Sequence, residues 1–117
     1  MLTDLSLGTS AARARRHPRS RLREALLELA QGQATILSHD EKSWASVTFA
    51  GARHRVELEF EGDEAVTAGE LFIAFLPEHE FAILGQLVAD AAVMAVDHRL
   101  EPPRMVVRCD LLLLDEG

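Results

Sequence analysis

Two stretches of this chain are built alike. From Glu24 to Leu37, and again from Glu70 to Leu84, an amphipathic helical run gives way within a few residues to a short apolar segment, and more strand-like sequence follows. The copies are offset by 46 to 47 residues, through pairs such as Glu24/Glu70, Ile36/Ile83 and Leu37/Leu84. Helix followed by strands, twice over, predicts an α+β fold: an antiparallel sheet of about six strands with two helices on one face, in the order α-βββ-α-βββ. The shared identities are few, so the pattern reads either as duplication or as chance recurrence of a cheap motif.

The 117 residues suit one domain, read as a flexible basic arm over residues 1–17 followed by a single α+β domain over residues 18–117. An apolar content of 48% and a mean hydropathy of +0.03 place the chain in the globular class. No apolar run approaches the roughly 18 residues that span a bilayer, and Met1 to Gly8 lack the basic-then-apolar order of a secretory signal. Cys109, the one cysteine, excludes an intramolecular disulfide and points to a reducing, cytoplasmic setting. Eleven arginines to one lysine fit a GC-rich bacterial genome. Charge is unevenly placed. Residues 1–23 carry six arginines against Asp4, a net of +5, whereas residues 24–117 net −12. An acidic body repels nucleic acid and anionic membrane, so no membrane partner is expected, and nucleic acid would have to bind through the arm.

Along the chain, Pro18 or Ser20 can open the first helix; Leu22, Ala25, Leu26 and Leu29 form its apolar stripe, and Gly32 ends it. Ala45, Val47 and Phe49 alternate with Ser46 and Thr48, then Val56, Leu58 and Phe60 alternate with charged residues, which predicts a hairpin turning at Gly51. On this reading Trp44 points away from Val47 and Phe49, toward an edge or a second surface. Asp63 and Glu64 suit the positive end of a second helix, whose buried stripe is Val66, Gly69, Phe72, Ile73 and Leu76 and which Pro77 stops. Gly69 is costly in a helix interior, so a close approach of helix to sheet is expected there. Residues 87–96 can be strand or Ala-rich helix; with Met105 to Leu113 they are assigned as two long strands joined around Pro102 and Pro103. Val47, Phe49, Val56, Leu58, Phe60, Phe72 and Ile73 are expected to share one core.

No phosphate loop, nucleophile elbow or zinc-protease motif occurs, no tyrosine is present, and no cofactor or metal set is indicated. The most suggestive polar residues are Glu78, His79 and Glu80 after Pro77, with Asp97, His98 and Arg99 further on. Histidine beside carboxylate can hold a divalent ion or move a proton, and it is equally an ordinary solvated connector. His39 to Lys42 looks the same and reads as a plain turn, and His54 reads as surface. Asp90 lies in an apolar run, where a carboxylate must be paired, solvated or functional. Arg108 is its first candidate partner, with Arg53, Arg55 and Arg99 as alternatives. Cys109 shares a face with Met105, Val107 and Leu111, which makes it a buried small hydrophobe. Arg13, Arg15, Arg16, Arg19, Arg21 and Arg23 can neutralise phosphates but lack interleaved aromatics for base stacking.

The leading functional reading is a non-catalytic binding or accessory module acting as a homo-oligomer. Leu112 and Leu114 alternate with Leu111 and Leu113, so a strand apolar on both sides meets helices on one side only. A homodimer through the C-terminal strand region, using Leu112, Leu114, Val88, Ala92, Met94 and Val96, would bury the remainder. A small apolar ligand or a protein partner is the other occupant considered. The alternative is a metal-assisted or acid–base enzyme working near Glu78, His79, Asp90 and His98; nucleic-acid association through the arm is a third reading.

Overall fold

The computed structural model describes residues 18–116, so the basic arm expected over residues 1–17 lies outside the described residues. Helix α1 covers residues 18–29 and points Leu22 and Leu26, one turn apart, into the interior. Its end is left-handed, as Gly32 implied: Gln31 and Gly32 have φ of 59° and 68°, and Gly32 N–H donates to the Leu27 carbonyl at 2.9 Å. Strand β1 (Ala34–Ala45) and strand β2 (Ala50–Glu61) follow. Helix α2 (Asp63–Phe75) opens after Gly62 and runs into a 3-10 turn, Leu76–Glu78, that contains Pro77. Strands β3 (Gln86–Leu100) and β4 (Pro103–Asp115) complete the chain.

The fold is α+β with an antiparallel sheet and two helices, in the order α-β-β-α-β-β, and the sheet has four strands rather than about six. Residues 34–37 and 45–49 are not separate strands. His39 to Lys42, which reads locally as a turn, lies inside β1, because His39 sits over the interior while Asp40 and Lys42 face solvent. The real reversal is Ser46–Phe49. Ser46 N–H donates to the Phe49 carbonyl at 2.7 Å, and Ser46 Oγ accepts from Phe49 N–H at 3.1 Å, the side-chain closure serine favours in turns. Val47 is consequently fully exposed and Phe49 half-exposed, so neither belongs to the core. Residues 81–84 likewise form a connector with one isolated bridge, Ile83 to Gln86, instead of a third strand. Residues 87–96 are strand, as assigned.

The strand order is β1-β2-β4-β3, so each α-β-β half contributes one central and one edge strand. On β2 and β4 the inward row is Val56, Leu58, Phe60, Met105, Val107, Cys109, Leu111 and Leu113, all buried against Leu22, Leu26, Phe72 and Leu76. Phe60 and Phe72 meet with ring centroids 5.9 Å apart. Gly69 permits this approach, since a Cβ there would stand 2.9 Å from Met105 Sδ and 3.0 Å from Phe60 Cγ. The opposite face carries charge pairs, Arg104–Glu59 at 2.6 Å and Arg55–Asp110 at 3.1 Å. Leu112 and Leu114 lie on that face yet are only 8% exposed each within the single chain. The open leucine patch expected there does not form, and β4 is a central strand with both edges paired.

Candidate functional site

The structure places Glu78 and His79 side by side at the 3-10 turn and sets Asp90 and His98 apart along β3. Glu78 ends the 3-10 turn and His79 follows it, both exposed, with His79 edge-on to Phe81 at 4.6 Å between centroids. Asp90 and His98 lie on β3, exposed and eight residues apart, about 27 Å at the rise of a strand. Asp90 stands opposite Leu112 in register, beside a bulge at Ala89, and Arg108 stands opposite Ala95 and Glu57. The Asp90–Arg108 pair is therefore not made, because the bulges at Ala89 and Met94 and the register place the two apart. Among the described residues Asp90 has no ion-pair partner, and no group of three or more His, Cys, Asp or Glu is placed to hold a metal ion. Cys109 is buried and accepts the role of a small hydrophobe: burial pushes its thiol up to about 12, and Asp110 adds to this.

The polar cluster that tertiary structure does build is one that local reading passes over. Because Ser46–Phe49 is the turn, Glu41 stands opposite His54 and His39 opposite Val56, so the two histidines are diagonal neighbours on the helix-facing side. His39 Nε2 and His54 Nδ1 are 2.8 Å apart, with His39 9% and His54 2% exposed. One ring donates to the other; His39 Nδ1 is buried without a partner. Helix α1 closes over the pair from its first turn. Arg19 Nη2 donates to the His39 carbonyl at 2.6 Å and Arg19 Nη1 lies 3.5 Å from Glu41. Burial pushes His39 down to about 3, with Arg19, His54 and Arg23 acting in the same sense. Burial also lowers His54, with Arg19, against an opposing pull from Glu41. Both imidazoles are neutral at pH 7 on this account. The hairpin signature hidden in the sequence was the parity of His39 and His54 about Ser46–Phe49, visible only once the turn is placed.

His54 and Glu41 also border a cleft of about 550 Å³ beyond the N-terminal end of α1, floored by Ser43 and Ala52 and reached by Trp44, Gln86 and Asp115. Gln86 Nε2 donates to Asp115 Oδ1 at 2.9 Å at its rim. Among the described residues that line it, none is a nucleophile hydrogen-bonded to a base. The neutral histidines tie β1 to β2 beneath α1, which is a positioning role.

The other feature of note is the outer edge of β3. Among the described residues this 15-residue strand has a neighbour on one side only, and Leu87, Met94, Val96 and Leu100 are 50%, 52%, 44% and 78% exposed. The opposite edge, β1, is partly engaged by its own chain through the Arg19 bond to the His39 carbonyl. The expected surface joins Leu112 and Leu114 of β4 with Val88, Ala92, Met94 and Val96 of β3; of these Met94 and Val96 are exposed, whereas Leu112 and Leu114 are buried.

No family model matches the chain, and no curated protein matches it. Among solved structures it is similar to a chain of the virion of the native gene transfer agent (GTA) particle, at 13% sequence identity, covering 88% of this chain and 94% of that one, with a TM-score of 0.49. A likeness this distant carries no statement about function.

Proposed function

We propose that this protein is a non-catalytic binding or accessory module that works as a homo-oligomer, and that the outer edge of β3 is its contact surface. One observation carries the reading: a long strand whose outer edge is unpaired among the described residues, with four exposed large apolar side chains. Free edge groups and apolar side chains are what a partner strand satisfies. The dispersal of Glu78, His79, Asp90 and His98 over exposed positions supports a binding role over an acid–base one. A cytoplasmic setting belongs to the same proposal and rests on the lone buried thiol. Sedimentation of the full chain across the micromolar range tests it. Concentration-dependent association is the expected result; a chain that stays monomeric throughout overturns the reading.

A further inference from the structure

Resting on the reading of β3 as the contact surface, we infer that its partner is β3 of a second copy, paired antiparallel about a two-fold axis that passes between Met94 and Ala95. The argument comes from register, side-chain parity and charge. On β3, Val88, Ala91, Val93, Val96 and His98 stand opposite the inward residues Leu113, Leu111, Cys109, Val107 and Met105, so they face the helices. Asp90, Ala92, Ala95, Asp97 and Arg99 stand opposite Leu112, Asp110, Arg108, Val106 and Arg104, so they face the other side. Met94 is the extra residue of a bulge between Val93 and Ala95, and it shifts the alternation by one.

That shift makes the strand self-complementary. Residues directly opposite in an antiparallel pair project to the same face. With the axis between Met94 and Ala95, Asp90 of one copy faces Arg99 of the other, and both lie on the face away from the helices. Val93 faces Val96, Ala91 faces His98 and Ala92 faces Asp97, and each of these pairs also shares a face. The two-fold produces the Asp90–Arg99 pair twice. A slip of one residue sets Asp90 against His98, which projects to the other face, and is excluded by the pleat. A slip of two residues in either direction sets Asp90 against Asp97 or against Glu101, acid on acid. Charge and parity thus select one register. Both residues are available for it: Asp90 has no ion-pair partner among the described residues, and Arg99 makes one exposed contact, to Asp97 at 4.0 Å. The result is a continuous eight-stranded sheet with its β1 edges outermost.

Charge exchange tests it in the full chain. Asp90→Arg and Arg99→Asp, each alone, put like charges opposite at two symmetric places and should weaken dimerisation about tenfold or more, given what cross-strand and surface pairs contribute. The double variant restores opposite charges and should return within about threefold of the original. Both positions are exposed, and circular dichroism verifies that each variant folds. Association indifferent to the single exchanges, or not recovered in the double variant, overturns this register while leaving β3 as a contact surface. An unmutated chain that never associates overturns the underlying reading instead.

Discussion

His39 and His54 show how a single residue's chemistry follows from where the chain turns. In an unfolded chain each titrates near 6.5, whereas burial holds His39 at about 3 and lowers His54 as well. The folded forms are therefore neutral, and below pH 6.5 the unfolded chain binds protons that the folded chain refuses. Stability contributed by the pair is complete above pH 6.5, falls as pH drops below it, and is fully lost for His39 near pH 3. The slope is at most about 1.4 kcal/mol per pH unit for each histidine. Carboxylates add their own acid dependence, so the comparison with a variant isolates the effect. Urea unfolding of His39→Gln, which keeps a hydrogen-bonding partner for His54, should show a shallower loss of stability between pH 6.5 and 4.5 than the parent chain. Equal slopes would mean that His39 is protonated in the fold.

At the scale of elements, β2 is one of two central strands, pairing with β1 on one side and β4 on the other. Gly51 lies within it, aligned with Trp44 and Leu114, and its φ is outside the left-handed region. Its requirement is space. A Cβ there would fall inside the envelope of the Leu113 carbonyl and 2.8 Å from Leu114 Cα. Gly51→Ala should cost about 1–3 kcal/mol in equilibrium unfolding, the range for overpacking a close contact. A cost near zero would show that β2 and β4 separate there without penalty. The sequence reading assigned this glycine to the turn, because Gly flanked by alanines between two apolar runs is ordinarily one. The turn is made at Ser46–Phe49, closed by the side chain of Ser46 five residues before Gly51, a short-range hydrogen bond that apolar periodicity does not register.

For the whole molecule, the described residues form an elongated body, 57 × 32 × 20 Å along its principal axes, with strands of 12 to 15 residues. Strands this long leave edges that the two helices, packed on one face, do not cover. The domain boundary at residue 18 remains our proposal, and it carries an expectation. Deleting residues 1–17 should leave the melting temperature within about 2 °C and the association state unchanged, as expected of a solvated terminal arm. A larger fall in melting temperature would show that the arm packs on the body.

The amino-acid sequence by itself determined the class of fold, the two helices, the left-handed end at Gly32, the close approach at Gly69 and the inward row from Val56 to Phe60. These follow from periodicity, from glycine's lack of a side chain and from apolar burial, which act over a few residues. Strand number, strand order, the neutral histidine pair and the open edge of β3 were decided by tertiary structure alone. Each depends on which distant backbone lies alongside. His39 to Lys42 stays extended because β2 pairs with it and α1 covers it, and Leu112 is shielded because β4 lies between two other strands. Local pattern shows that a residue needs burial, and only the fold determines what buries it.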